Sequence, residues 1–359
     1  MKFRSLGKTV LVSMPTFTMT HRAIGIVMSL ILNSNLALSQ DRIQIKTGPE
    51  TTSILKTKPR TTTGPNVFLV VLGNAQDAGY PQAECKKKCC QPAWENHRLR
   101  RFATSIAIVD QVQRSRLLFE CTPNFPEQMR LLDEYSALPS VTKGHTPAIA
   151  SLDAIFLTHA HIGHYAGLIH LGREVIGAKG IPVYVMPRMR KFLIANGPWS
   201  QLVQLKNVLL RPLMANEPSE VGRIKVTPMV VPHRDEFSET VGFRIEGPNR
   251  SALFLPDIDK WEKWDRKIED EIKKVDIALI DGTFFGDGEL PGRNMSEIPH
   301  PFIEESLERF AGLQPSQKKK IYFIHMNHTN LALQKESNAR RKIISAGFHV
   351  ADQGMKIGL

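Results

Sequence analysis

The sequence predicts a four-layer αβ/βα sandwich, in which two mixed β-sheets pack face to face and helices cover their outer surfaces. Two runs of short apolar segments rich in β-branched residues occur in succession, and each run is accompanied by segments of helical periodicity. The chain has 359 residues and is 42% hydrophobic, which is enough for a sizeable core. We expect one folded domain over residues 67–359.

The predicted strands begin with the buried segment Val67–Gly73. The other predicted strands are Thr104–Val109, Leu117–Cys121, Leu152–Leu157, Val183–Val185, Val208–Leu210, Ile224–Val231, Val241–Ile245, Ala252–Leu255, Ile277–Ile280, Ile321–Ile324 and Met355–Ile357. Helices are predicted at Asn124–Tyr135, Tyr165–Ala178, Glu262–Lys274, Ile303–Phe310 and Leu331–Ala346.

The N-terminal 66 residues differ from the rest of the chain. Residues 1–39 contain a basic segment, the apolar stretch Ala23–Leu32 and the small residues Ala37 and Ser39, the order typical of a secretory signal peptide. The apolar stretch is too short to span a bilayer, so no membrane span is expected in the mature chain. The alternative is an uncleaved signal that anchors the protein. Residues 40–66 are polar and aperiodic, which indicates a flexible linker.

The net charge of +12 is concentrated in this N-terminal region. Residues 1–66 hold nine Lys/Arg and two Asp/Glu, so +7 of the total lies there. Because the folded domain has no basic stripe interleaved with aromatic residues, a nucleic-acid partner is not expected. Export predicts a secreted or periplasmic protein, a setting in which disulfides persist. The oligomeric state has no signal in the sequence.

Three histidines cluster at the end of the predicted strand Leu152–Leu157. His159 and His161 are two residues apart in a loop, where side chains point the same way, and His164 follows at the start of a helix. Imidazole is the commonest metal ligand in proteins. The segment therefore predicts a metal site.

Further metal-ligating side chains follow later strands. They are His233, Asp257, and the pair His325 and His328. A single polar residue at a strand end is weak evidence, but four such positions in this order indicate a common site.

These motifs resemble the metallo-β-lactamase-fold hydrolases, whose signature is H-x-H-x-D-H after a strand. The resemblance implies a first ion held by His159, His161 and His233. Asp257 would bridge to a second ion held by His164 and His325, with His328 as the alternative to His325. Zinc, as one or two ions, is the implied metal, and iron suits the same ligands.

The chain departs from the signature at Gly163, where the family has an aspartate that binds the second ion. We therefore expect a tight first ion and a weaker second ion. The substitution Gly163→Asp should then tighten the second site, unless Gly163 requires a positive φ.

Other segments resemble the PqqB family of pyrroloquinoline quinone biosynthesis proteins. These segments are Gly79–Gln82 before a cysteine cluster, Thr122–Gln128, Pro232–Glu236 and His325–Asn330. The metallo-β-lactamase resemblance implies a metal-dependent hydrolase acting on a small-molecule or peptide substrate, whereas the PqqB resemblance would imply an oxygen-dependent hydroxylation at iron. Asp257 would position the water, and His328 or His300 would protonate the leaving group. The alternatives are an iron-dependent oxygenase acting on a peptide or cofactor precursor and a metal-binding protein without catalysis.

Four cysteines lie in the domain, three of them close together. Cys85, Cys89 and Cys90, with the nearby His97, predict a structural Cys₃His zinc site. A local disulfide is the rival interpretation in an oxidising compartment.

The signal-peptide hypothesis predicts the mass of the mature protein. Cleavage after the small residues Ala37 and Ser39 should leave an N-terminus near Gln40, measurable by intact mass spectrometry of the exported protein. An intact Met1 on cytoplasmic protein would contradict the prediction.

Overall fold

Two seven-stranded β-sheets form the centre of the protein in the computed structural model, which describes residues 66–136 and 152–359. The predicted signal peptide, and the predicted linker up to residue 65, lie outside the described residues.

The first sheet has the order β14-β1-β2-β3-β4-β5-β6. Its strands are β1 (Val67–Gly73), β2 (Ser105–Asp110), β3 (Ser115–Phe119), β4 (Ala154–Phe156), β5 (Ile181–Val185), β6 (Val208–Pro212) and β14 (Lys356–Gly358). Strands β3 to β6 pair in parallel, and the pairs from β14 to β3 are antiparallel.

The second sheet has the order β13-β12-β11-β10-β9-β8-β7. Its strands are β7 (Ser219–Val221), β8 (Ile224–Val230), β9 (Val241–Glu246), β10 (Ser251–Leu255), β11 (Ile277–Asp281), β12 (Ile321–Ile324) and β13 (His349–Val350). Strands β10 to β13 are parallel and the others antiparallel, so both sheets are mixed, as predicted.

Helices cover the outer faces of both sheets and complete the predicted four layers. They are α1 (Gln91–Glu95), α2 (Phe125–Tyr135), α3 (Ile162–Tyr165), α4 (Pro187–Ala195), α5 (Trp199–Gln204), α6 (Ile268–Lys273), α7 (Ile303–Arg309), α8 (Pro315–Lys318) and α9 (Asn338–Ser345). Side chains of α2, α4 and α5 pack on the first sheet, and those of α6, α7 and α9 on the second. Within the described residues, every helix is too short or too polar to cross a membrane.

The central core lies between the two sheets. Along β1, Val67, Leu69 and Val71 face this core, while the residues between them face the helices. Both faces of the strand are therefore buried, which explains its continuous apolar sequence. Phe119 of the first sheet stacks on Phe156 with ring centroids 5.0 Å apart.

Three predicted helices are shorter than expected. In the segment predicted as Tyr165–Ala178, α3 ends at Tyr165, a 3₁₀ helix covers Ala166–Leu171, and residues 172–178 are not helical. The α-helix ends here because of a tertiary contact. The Gly167 amide donates to the Cys121 carbonyl at 2.9 Å and not to a carbonyl one helical turn earlier. A Cβ on Gly167 would lie 2.0 Å from the Thr122 carbonyl oxygen, so only glycine permits this approach.

The other two are interrupted for similar reasons. The predicted helix Glu262–Lys274 begins as the 3₁₀ helix Trp261–Lys263 and resumes as α6. The interruption follows from two tertiary hydrogen bonds, since the Trp261 indole donates to Ser306 Oγ at 3.0 Å and the Trp264 indole donates to the Val230 carbonyl. In the predicted Leu331–Ala346, the side chain of Ser337 accepts from the Arg340 amide and starts α9 there.

Truncation of the aromatic cluster between the sheets should destabilise the domain. Phe119 is fully buried and contacts rings of both sheets, with Phe243 at 5.5 Å and Phe254 at 6.3 Å. Phe119→Ala should lower the free energy of unfolding by about 3–5 kcal/mol because it leaves a cavity. Urea unfolding measures the change. Val112→Ala, at a side chain that is 62% exposed, is the control and should unfold as the wild type does.

Candidate metal centres

The loop that carries the three clustered histidines follows β4 of the first sheet and is hydrogen-bonded to the second sheet. It begins where β4 ends, and α3 starts directly after His161. The Thr158 carbonyl accepts from the Val241 amide at 3.1 Å, and the Ala160 amide donates to Ser238 Oγ at 2.8 Å. These bonds to the second sheet fix the loop at the junction of the sheets.

The first group of candidate ligands is His159, His161, His233 and Asp257, as the family resemblance implies. Each side chain offers one ligand atom, and these atoms lie within 4.8 Å of one another. His159 and Asp257 are fully buried, and His161 is the most exposed of the four, with Nε2 3.1 Å from Glu236 Oε2. The group thus opens to the surface on the His161 side.

The second group contains His164, Asp257 and His325, together with Asp77. The structure places His325 here and not His328. Sequence reasoning missed Asp77, which follows β1 by four residues. The rule applied to the other strands, a carboxylate shortly after a buried strand, would have found it.

The buried ligand atoms of these groups lack hydrogen-bond partners among the described residues. They are Nε2 of His159, His164, His233 and His325, and Oδ1 of Asp77 and Asp257. The imidazole nitrogens lie 3.0 to 3.7 Å from the carboxylate oxygens, without hydrogen-bond geometry. Ligand atoms about 2.1 Å from a tetrahedral zinc ion would be about 3.4 Å apart. Buried polar atoms are almost always paired, so the residues present fit metal ions.

The opposite ring nitrogen of three buried histidines, His159, His233 and His325, is held by a second side chain. The Nδ1 of His164 has no hydrogen-bond partner among the described residues and lies 3.6 Å from Glu120 Oε2. His159 Nδ1 lies 2.8 Å from Thr158 Oγ1, and His325 Nδ1 lies 3.0 Å from Thr283 Oγ1. In the same way, His233 Nδ1 lies 3.3 Å from Asp259 Oδ1. Such contacts orient imidazole rings toward a metal ion.

The charges at the site favour a bound cation. Burial lowers the pKa of His159 well below its ordinary value and keeps this imidazole neutral. Burial also opposes a charge on His164, but the carboxylates of Glu120, Asp257 and Asp77 raise its pKa well above the ordinary value. A metal ion would satisfy the same carboxylates in place of that proton.

His300 lies beside Asp257 in a third group with Asp281. Its Nδ1 is 2.8 Å from Asp281 Oδ2 and 3.3 Å from Asp257 Oδ1. Burial opposes a charge on the ring, yet these two carboxylates raise the pKa of His300 to about 9. In this group His300 is hydrogen-bonded to Asp281, whereas Asp257 Oδ1 has no hydrogen-bond partner among the described residues.

The cysteine cluster forms a separate candidate site with His328. Cys85 Sγ and Cys89 Sγ are 3.8 Å apart, and His328 Nδ1 lies 3.2 Å from Cys90 Sγ and 3.8 Å from Cys89 Sγ. Sulfur ligands about 2.3 Å from a tetrahedral zinc ion would be about 3.8 Å apart. Burial and the neighbouring thiols raise the pKa of Cys90 to about 12, so this side chain is a neutral thiol at neutral pH, and a bound cation would favour its thiolate.

Two sequence-based assignments are corrected here. The fourth member of the cysteine group is His328 and not His97, whose Nε2 instead lies 3.4 Å from the Arg100 guanidinium. His328 thus belongs to this cluster and is not retained as a proton donor. The rival disulfide is absent, since Cys85, Cys89, Cys90 and Cys121 are all free thiols.

The sandwich and its paired groups of histidine and carboxylate ligands define a protein of the metallo-β-lactamase fold. The family model described as "Beta-lactamase superfamily domain" matches residues 115–326. The chain belongs to this superfamily.

Within it, the chain is similar to curated proteins named coenzyme PQQ synthesis protein B. The protein from Methylobacterium nodulans is 27% identical over 314 residues, and that from Xanthomonas campestris pv. campestris (strain B100) is 25% identical over 315. Both alignments cover 81% of this chain and 99% of the relative.

Solved structures show the same fold. Zn(2+)-bound PqqB from Methylobacterium extorquens matches with a TM-score of 0.67 and 24% identity, covering 81% of this chain and all of that one. A diphosphatase from the PhnP family matches with a TM-score of 0.57 and 22% identity, covering 81% and 96%.

The cysteine cluster predicts which histidine holds a structural ion. His328→Ala should remove one zinc ion per chain and lower the melting temperature, because it takes away a ligand whose binding energy contributes to folding. Zinc content by elemental analysis and melting by calorimetry measure both effects. His97→Ala is the control and should retain the ion, whereas zinc loss in that variant alone would restore His97 as the ligand.

Proposed function

We propose that this chain is a zinc-dependent hydrolase that holds two adjacent ions and cleaves a small-molecule or peptide substrate. The observation that carries the proposal is the set of buried, unpaired Nε2 atoms of His159, His164, His233 and His325 around the Asp257 carboxylate. Four such atoms are costly to bury without a cation.

Zinc is supported by the ligand chemistry. Imidazole and carboxylate ligands suit zinc, and the thiolate cluster with His328 suits it further. A relative of the same fold, PqqB from Methylobacterium extorquens, binds Zn(2+).

Bound zinc would supply hydroxide at neutral pH and polarise the oxygen of the scissile bond. Asp257 is placed to serve both ions, because its Oδ1 lies 3.3 Å from His233 Nε2 and its Oδ2 lies 3.3 Å from His164 Nε2. Its Oδ2 also lies 3.4 Å from His159 Nε2, so the carboxylate is within reach of ligands of both groups and would help to hold both ions and to orient the attacking water.

His300 is the candidate catalytic acid. Asp281 accepts from its Nδ1, and Thr283 Oγ1 lies 3.3 Å from the same nitrogen, so the ring is fixed in position beside Asp257. A fixed imidazole next to the ligands is placed to give a proton to the leaving group.

The opening of the site favours a substrate with an apolar part. Ile162 follows His161 and is 64% exposed, and Phe237 follows Glu236 and is 58% exposed. The charged residues at this edge are mixed in sign, since Arg188 pairs with Asp235 at 3.1 Å. A small molecule or peptide fits this rim better than a polyanionic nucleic acid.

We also propose that the protein is secreted or periplasmic. The order of basic, apolar and small residues in positions 1–39 supports export.

Hydrolysis of chromogenic substrates by zinc-loaded protein tests the proposed function. A panel of carboxylic esters, thioesters, lactams, peptides and phosphodiesters should contain at least one substrate. His159→Ala should abolish its turnover, because this variant loses an ion ligand. His300→Gln should lower kcat about 100-fold or more while the zinc content stays unchanged.

His97→Ala is the control variant for this assay, because His97 lies outside the three metal and acid groups. Its turnover should equal that of the wild type. A zinc-loaded protein that cleaves no member of the panel, or oxygen consumption by the iron-loaded protein in its place, would refute the hydrolase.

A further inference from the structure

Gly163 leaves a space that another side chain occupies. A Cβ built on Gly163 would lie 2.3 Å from Asp77 Cα and 2.5 Å from Asp77 Oδ1. The φ of Gly163 is not positive, so the backbone does not require glycine here. The glycine is needed because the loop after β1 passes over it and places Asp77 where a side chain of residue 163 would stand.

The Asp77 carboxylate faces the second group of ligands. Its Oδ1 lies 3.0 Å from His164 Nε2 and 3.6 Å from His325 Nε2. This oxygen is buried, and among the described residues it has no hydrogen-bond partner. A buried, unpaired carboxylate oxygen beside two unpaired imidazole nitrogens has the arrangement of a metal ligand.

The backbone holds Asp77 in this place. The Gly79 amide donates to the Gln76 carbonyl at 2.7 Å and closes a tight turn around Asp77. The turn is attached directly to the His325 loop, because the Gln76 amide donates to the Met326 carbonyl at 2.8 Å. Asp77 and His325 are therefore set relative to each other by main-chain bonds and not by the side chains alone.

We propose that Asp77 supplies the second ion with the carboxylate ligand that position 163 supplies in the family signature. The carboxylate would then come from a different segment of the chain, at the place where a side chain of residue 163 would stand. The inference rests on the proposed two-ion site and names a ligand of its second ion.

A ligand at Asp77 reverses the expectation, drawn from Gly163 in the sequence, that the second ion binds weakly. The second ion keeps an anionic ligand besides Asp257, so it should bind without the weakening expected from Gly163. We therefore expect Gly163→Asp to disturb this loop instead of tightening the ion, because the new side chain would meet the main chain of Asp77.

Metal titration of four proteins tests whether Asp77 is a ligand of the second ion. They are the wild type, Asp77→Ala, Gly163→Asp and the double variant Asp77→Gly/Gly163→Asp. Isothermal titration with Zn²⁺ measures the affinities, and elemental analysis counts the ions. Cobalt substitution separates the cysteine site, since only thiolate ligands give sulfur-to-cobalt absorption bands.

In the wild type we expect two ions in addition to the one at the cysteines. Asp77→Ala should weaken the second ion at least about 100-fold, since loss of even an outer hydrogen-bonding partner costs 10–100-fold. The first ion and the cobalt–thiolate bands should stay unchanged. Gly163→Asp alone should lower the melting temperature, and the double variant should recover both stability and the second ion.

Asp287→Ala removes the same charge from an exposed loop and is the matched control, with wild-type affinities expected. A folded Asp77→Ala that keeps the second-ion affinity within twofold of the wild type would overturn the proposal. So would a Gly163→Asp variant with unchanged melting temperature and ion count, or a wild type with a single ion outside the cysteine site. Asp77→Ala decides the matter even if the double variant does not fold.

None of these measurements uses turnover. A protein that loses its second ion in Asp77→Ala but hydrolyses no substrate would support Asp77 as a ligand and refute the proposed hydrolase. The two proposals therefore fail separately.

Discussion

The Asp257 carboxylate is the group on which the arrangement of the site depends. It is buried just after β10, and four imidazoles from three segments of the chain approach it without forming hydrogen bonds. Each buried polar atom left unpaired costs about 1–3 kcal/mol. Strands of both sheets end at the same edge and bring these atoms together, so cations bound there would compensate for all of them.

Metal binding would therefore be coupled to folding at two places. The histidine and carboxylate groups draw candidate ligands from both sheets, so ions bound there would link the two halves of the sandwich. The cysteine cluster brings the segment around Cys90 together with His328, which lies 238 positions later in the chain. Because His325 and His328 share one loop, an ion at the cysteine site would also help to position a ligand of the proposed second ion.

The loop after β1 connects these sites. Ala75 forms bridges with both Ala103 and Met326, and Tyr80 Oη donates to the Cys89 carbonyl at 2.7 Å. One short segment thus lies against the first sheet, the His325 loop and the cysteine cluster. Asp77 lies in this segment, and main-chain hydrogen bonds of its turn fix the position of the carboxylate independently of the histidine motif.

Much of the fold was determined by the sequence itself. Buried strands such as Val67–Gly73 have local signatures in their β-branched composition. The candidate ligands lie one to three residues after such strands, and they are His159, His233, Asp257 and His325. Since strand ends gather at one edge of a sheet, these positions identify a site without knowledge of the packing.

Only the tertiary structure decided the remaining features, because each depends on contacts between segments far apart in the chain. Gly167 and the two tryptophans before α6 shorten helices that local periodicity extends, since their bonds go to other elements. His328 replaces His97 at the cysteines because strand pairing brings a distant loop there, although His97 is nearer in sequence. The same reason applies at Gly163. The sequence motif lacks a carboxylate at position 163, whereas the structure places the carboxylate of Asp77, which is distant in sequence, beside that position.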